Sequence, residues 1–208
     1  MDKAVNHIVV LFIAASILSC NNQIDGKWLP KNIRETVIEL QPLSTVPPQL
    51  ISMLKDSIPN YYPVLVKIAL PVELPLFAYY KPRDRYKADS IHTFLQSTRS
   101  DNVRIVAGIT EKDISTKKGV VDDYGIMGYG YSPGYVCVVS TLRLKKDNPS
   151  DKLFEQRLLK TVIHELGHNF GLPHCSTPYC IMADAKGKLS QDSETVLCAD
   201  CKNKLHLK

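Results

Sequence analysis

His164-Glu165-Leu166-Gly167-His168-Asn169-Phe170-Gly171-Leu172-Pro173-His174-Cys175 is the stretch around which the rest of this 208-residue chain is read. Residues four apart on a helix stack on one face, so His164 and His168 can offer two imidazoles to one ion. Glu165 points about 100° further round, outside that ligand pair but within reach of a water on the ion, which is the place of a general base. Gly171 can take the left-handed conformation that ends a helix, and Pro173 cannot continue one, so the chain can turn back and bring His174 in as a third nitrogen donor. Three histidines leave zinc one open position, which marks a catalytic site rather than a closed structural one. H-E-x-x-H alone arises by chance on amphipathic helices. A glycine three residues after the second histidine, and a histidine three further on, meet a geometric demand that an ordinary core histidine does not have.

Upstream, Asn148-Pro149-Ser150-Asp151 is a helix-start signal, and Leu153, Phe154, Leu158, Val162 and Ile163 lay an apolar stripe along the helix it opens. Downstream, Cys175 and Cys180, then Cys198 and Cys201, form two close pairs separated by a loop. Four thiolates so spaced can close a tetrahedron around a second, structural zinc. Two disulfides are the alternative in an oxidising compartment. A Cys-x-x-Cys pair can also be a redox motif, but its usual strand-to-helix setting is missing here. Zinc is favoured because His174 and Cys175 are adjacent, so two ions would fix one loop from both ends. Cys137, with no spaced partner, reads as a small buried hydrophobe, and His92, equally alone, as a surface or capping group with no role.

At 44% hydrophobic, the chain can bury one core and carry a short tail, which points to a single catalytic domain. The net charge of +5 is modest, and no run of Lys or Arg exceeds two residues, which excludes a nucleic-acid footprint. Lys3 precedes an eleven-residue apolar run, 8–18, too short to span a membrane but suited to a signal peptide over residues 1–19. Ile17-Leu18-Ser19-Cys20 resembles the lipobox of bacterial lipoproteins, in which the cysteine is lipidated. The expectation is an exported protein of the cell envelope, tied to a membrane through Cys20 and otherwise a monomer. Residues 20–47, with Pro30, Pro42 and Pro47, read as a tether or linker, and 48–208 as the folded domain.

Within that domain a short helix is expected at 48–57, a buried strand at 64–70, a helix at 83–96, and a strand at 102–110 with a turn at 111–115. A further strand follows at 135–141. Helix and strand alternate, which favours crossover connections and a mainly parallel α/β sheet. The Gly- and Tyr-rich stretch 122–134 reads equally as an active-site rim or as a plain hairpin.

His164 to Cys175, then Cys180-Ile181-Met182, then Cys198 and Cys201, together resemble the archaemetzincins, a zinc metalloprotease family placed among the metzincins. Val138-Val139-Ser140-Thr141-Leu142-Arg143-Leu144 also resembles the segment ahead of that family's active-site helix. The fifteen residues between Met182 and Cys198 are slightly fewer than the family pattern has. The resemblance implies a zincin-like α/β (α+β) fold, with a mixed twisted sheet above the active-site helix and a cleft across its front. It implies that Val136–Ser140 is the edge strand beside the cleft, where an extended peptide adds as a strand. Met182 is implied to form a methionine turn beneath the zinc. No tyrosine follows Met182 within two residues, so water is the implied fourth ligand. The expected activity is peptide-bond hydrolysis by a zinc-activated water with Glu165 as base, on peptide or protein substrates and with two zinc ions. The alternatives are an exported zinc-binding protein without activity, against which the intact Glu165 speaks, and a hydrolase of something other than peptides.

Overall fold

Val37-Ile38-Glu39-Leu40-Gln41-Pro42-Leu43 mixes β-branched and apolar residues with polar ones, and in the computed structural model it forms an inner strand, β1 (Val37–Leu43). The structure describes residues 33–184, 192 and 196–207; Cys20, the expected signal peptide and residues 20–32 of the expected tether lie outside them. The tether boundary at 47 is therefore corrected: Ile38, Leu40 and Leu43 are fully buried. Pro42 suggested a linker because it cannot donate to a ladder. Its carbonyl accepts from Val72 N, so its missing N–H faces the side on which the neighbouring strand, β2 (Leu65–Ile68), has already ended. Gln41 Nε2 closes the gap by donating to Leu70 O at 2.7 Å.

The large sheet runs in the order β2, β1, β5 (Ile105–Thr110), β9 (Val136–Ser140), β8 (Gly128–Gly130). The first four strands are parallel, as the alternation of elements predicts, and β8 is antiparallel to β9. Two expectations change here. β9 is an inner strand, because the chain lays β8 outside it as the true edge. The run 64–70, read as buried, supplies the opposite edge, and Leu65 and Ile68 are exposed there.

A second sheet joins β3 (Tyr79–Tyr80), β4 (Arg85–Lys87), β6 (Ile114–Lys118) and β7 (Val121–Ile126). The expected helix at 83–96 thus gives its first residues to β4 and becomes α2 (Ala88–Thr98), and the expected turn at 111–115 leads straight into β6. Asp113 ties this sheet to the short turn of helix that follows β9: Arg85 Nε reaches its carboxylate at 2.6 Å and Arg143 Nε at 2.7 Å. The stretch 122–134 is no plain hairpin. It finishes β7 in the small sheet and crosses to β8 in the large one.

Helices cover both faces of the large sheet, as a parallel sheet requires. On one face α1 (Pro48–Ser57), with proline in its first turn, and α3 (Asp151–Asn169) pack Leu50, Leu54, Leu158, Val162 and Leu166 against Ile38, Leu40, Ile105, Ile109 and Val139. On the other, Ile91 and Leu95 of α2 meet Val106, Val136 and Val138. His92 also points inward, against the expected surface role: it is buried with its ring 4.4 Å from that of Tyr131. Cys137 is fully buried, as expected.

Candidate metal centre and active site

The helix that carries the motif is closed by hydrogen bonds at both ends. At its start Ser150 Oγ accepts from Leu153 N at 3.4 Å. At its end Gly171 has φ 95°, its N–H donates to His168 O at 2.8 Å, and Leu172 N–H donates to Gly167 O at 2.9 Å. This double bond past a left-handed glycine is the Schellman motif, and its usual apolar partners, Leu172 and Leu166, are both buried. The turn sends the chain back to place His174 beside the helix, and it aims Leu172 O at His168.

His168 Nδ1 donates to that carbonyl at 2.7 Å, and His164 Nδ1 donates to Ile181 O at 2.7 Å. With the proton held on Nδ1 in both rings, the two Nε2 lone pairs face each other at 3.1 Å. Two bare acceptors at that distance repel unless a cation lies between them. The His174 ring stands 5.4 and 4.9 Å from those of His164 and His168, and one donor nitrogen from each of the three lies within 4.8 Å of the others. Burial, helped by the neighbouring His168 charge, pushes the His164 pKa down to about 4, and burial also lowers that of His168. Both rings are therefore neutral ligands at ordinary pH, and this donor set fits zinc. His174 is exposed, so the group opens to solvent on its side.

Glu165 lies one step round α3, only 8% exposed, and burial pushes its carboxyl pKa up to about 8. One turn on, Asn169 fastens the stretch after β8 to the helix. Its Nδ2 donates to Tyr131 O at 3.2 Å and Val136 O at 3.0 Å, and its main-chain carbonyl accepts from Gly134 N at 3.2 Å. Sequence reading passed over Asn169, although its place four residues after Glu165, inside the motif, puts it on the same helix face. Tyr62 was also missed: buried, its phenol donates to Ile163 O at 2.9 Å and its ring packs 5.0 Å from Phe170. Met182 is fully buried against α3, where a Cβ added to Gly167 would strike its sulfur.

The four cysteines come together as the spacing predicts. Cys175 and Cys198 sulfurs are 3.7 Å apart, Cys180 and Cys201 sulfurs 3.7 Å, and all four lie within 4.8 Å. A disulfide needs about 2.05 Å, whereas four thiolates about 2.3 Å from one zinc would stand roughly 3.8 Å apart. All four are free thiols, so the disulfide alternative is not what the fold adopts. Burial opposes ionisation of Cys198, but hydrogen bonds from the Cys201 main chain and the neighbouring side chains bring its pKa down to about 7. Burial and the adjacent sulfurs push Cys201 up.

The two groups share a main chain. Cys175 N donates to Met182 O at 2.7 Å, Ala183 N to Cys180 O at 2.9 Å, and Ile181 N to Val196 O at 3.0 Å, while Ile181 O is the acceptor that orients His164.

Residues 21–207 match Peptidase family M54. The chain belongs to this family. Its relatives include the archaemetzincin of Pyrococcus furiosus, 32% identical over 184 residues covering 83% of this chain and 93% of that one. The archaemetzincin of Halobacterium salinarum is 30% identical over 173 residues, 79% of this chain and 96% of the relative. Among solved structures, archaemetzincin from Methanopyrus kandleri matches with TM-score 0.72 and 27% identity over 85% of this chain and 96% of its own. Archaemetzincin from Archaeoglobus fulgidus, complexed with malonate, matches with TM-score 0.69 and 26% identity over 81% and 99%. This M54 chain is a zinc-dependent metallopeptidase, a hydrolase of peptide or protein substrates, and its two mixed sheets and long helix are the archaemetzincin fold.

Proposed function

We propose that this M54 peptidase hydrolyses peptide bonds at a zinc held by His164, His168 and His174, with Glu165 as general base, and that a second zinc is held by Cys175, Cys180, Cys198 and Cys201. The reading is carried by the two Nε2 atoms that face each other at 3.1 Å while each Nδ1 is committed to a carbonyl. Zinc, when bound, supplies Lewis acidity that lets water attack near neutral pH and that polarises the scissile carbonyl.

The chain's own residues divide the remaining work. Ile181 O and Leu172 O accept from the two Nδ1 atoms and so hold the imidazoles in the tautomer that presents Nε2. Glu165, kept from bulk water, takes a proton from the attacking water and returns it to the leaving amine. Burial raises its affinity for that proton, and a neighbouring cation would lower it again, so the group can be poised between base and acid. No covalent acyl step is needed. Met182 forms an apolar floor under α3, and β8 offers the outer edge of the sheet to an extended substrate.

We further propose that the protein is exported through residues 1–19, anchored by a lipid on Cys20, and works as a monomer at the cell envelope. The apolar run 8–18 and Ile17-Leu18-Ser19-Cys20 support that reading. Metabolic labelling with palmitate, compared between wild type and Cys20→Ser, tests it; equal labelling sinks it.

Glu165→Gln tests the mechanism. The expected result is full zinc content by atomic absorption with turnover of a peptide library reduced at least about 10³-fold, within the usual contribution of a positioned base. Cleavage at the wild-type rate overturns the assignment. Chelator should abolish wild-type cleavage and zinc restore it, and the metal count on the intact protein should be two per chain.

A further inference from the structure

Strand β8 is Gly128-Tyr129-Gly130, an unpromising sequence for an edge, because glycine in a strand interior gives up conformational entropy and packs no side chain. The backbone does not require it: among the described residues only Gly119 and Gly171 are glycines with positive φ. The need for glycine at these two positions is a need for space. Side chains alternate along a strand, and Tyr129 turns to the α2 face, with its ring 6.3 Å from that of His92. Positions 128 and 130 face α3.

What lies there is Glu165. A Cβ on Gly128 would collide with Glu165 Oε1 and stand 2.7 Å from its Cγ and 2.8 Å from its Cδ. A Cβ on Gly130 would stand 3.3 Å from Oε2, 3.2 Å from Cys137 Cβ and 3.4 Å from Asn169 Nδ2. The whole side chain of Glu165 is thus laid flat between helix and strand. Cys137 of β9 and Asn169, one helical turn on, stand at the Gly130 end of the space.

We propose that Gly128 and Gly130 are positioning residues for the reaction: the missing side chains at both positions form the slot that holds the Glu165 carboxylate in place. The proposal rests on the reading of Glu165 as the base for its consequence in catalysis, though not for the slot itself. The two glycines are unequal. Gly128 has no clearance and the whole acid beneath it, whereas at Gly130 the neighbours need give only a few tenths of an ångström.

The test is a double-substitution cycle read by two independent measurements. Gly128→Ala is expected to lower kcat about 10²-fold, the scale of an ångström-sized misplacement of a reacting group, with KM changed less than about threefold and zinc content intact. Gly130→Ala should cost only a few-fold in kcat. Gly119→Ala, between β6 and β7 and with nothing within 4 Å of an added Cβ, should leave kcat where it is. The second readout is the melting temperature, which ignores catalysis. Gly128→Ala should lower it in the wild-type background but leave it unchanged or raise it in a Glu165→Ala background, where the methyl fills vacated space and alanine restricts the unfolded chain. An unchanged kcat in Gly128→Ala, or an equal loss of melting temperature in both backgrounds, overturns the proposal. Should Gly128→Ala fail to fold, folding of the double variant supports the slot and failure of both overturns it. If Glu165→Gln turns out active, the base assignment falls while the melting cycle still decides the slot.

Discussion

Gly167 lies inside α3 between His164 and His168, and one methyl added there sets two known effects against each other. Alanine is the better helix former by about 1 kcal/mol, so an exposed site would gain stability. Here the Cβ would strike Met182 Sδ and stand 2.9 Å from Tyr62 Oη and 3.0 Å from Met182 Cε. Overpacking of this kind costs roughly 1–3 kcal/mol. Displacing Tyr62 also strains its 2.9 Å bond to Ile163 O, which costs about 1–3 kcal/mol if the buried phenol is left without a partner. The clash wins: Gly167→Ala is expected to destabilise by roughly 1–5 kcal/mol, a fall in melting temperature of about 3–15 °C for a chain this size. Circular dichroism of the zinc-loaded protein measures it. Because Met182 follows Ile181, whose carbonyl orients His164, zinc affinity by chelator competition should also weaken, by roughly 10–100-fold for a disturbed outer-shell contact. Gly119→Ala is the comparison, since nothing lies within 4 Å of a Cβ there and only the strain of φ +59° remains. A Gly167→Ala protein as stable as wild type, binding zinc as tightly, would refute the packing argument.

Two further predictions follow from the same site. On acidification zinc should be retained well below pH 6.5, because burial holds His164 near 4 and lowers His168. These folded-state values lie below the unfolded ones, so the neutral ligands and the stability linked to them persist above pH 6.5 and are lost only as pH falls through the lowered values. An indicator that reports release with a midpoint at 6.5 or higher counts against it. Asn169→Ala should cost about 1–2 kcal/mol: the buried Val136 carbonyl and the half-buried Tyr131 carbonyl lose their donor, partly offset because the Asn169 Oδ1 is itself without a partner. Amide exchange should quicken across 131–135, and unchanged exchange there would show that the clamp is not what holds the rim.

The donors of this peptidase were legible because their chemistry is local. His164, His168, Gly171 and His174 lie within eleven residues, and helix geometry with one left-handed glycine is enough to gather them. The cysteine group needed only two short spacings and came out as a cluster for the same reason. What escaped was set by partners distant in sequence. Pro42 disguised β1 as a linker, since nothing in its neighbourhood tells that β2 stops at Ile68, so that no strand partner there needs the N–H the proline lacks. The apolar run after Pro63 reads as buried because β-branched composition cannot distinguish an inner parallel strand from an outer one. His92 reads as a surface group until Tyr129 and Tyr131, some forty residues on, fold over it. The glycines of β8 read equally as part of a rim or of a hairpin turn, whereas their meaning lies in a side chain on another element.

The peptide unit between Ile181 and Met182 has a consequence of its own. Its carbonyl steers His164, and the residues on either side of it are bonded to Cys175 and to Val196, beside the four thiols. With a metal at each group, as proposed, occupancy of the thiol group and affinity at the imidazole group would be thermodynamically linked, and linkage is reciprocal: any factor by which one strengthened the other would be returned unchanged. Couplings of this kind run from about fivefold to about 150-fold. If that coupling is positive, a chelator strong enough to strip one group would loosen the other, and titrating two metals out one at a time would yield apparent constants that belong to the pair.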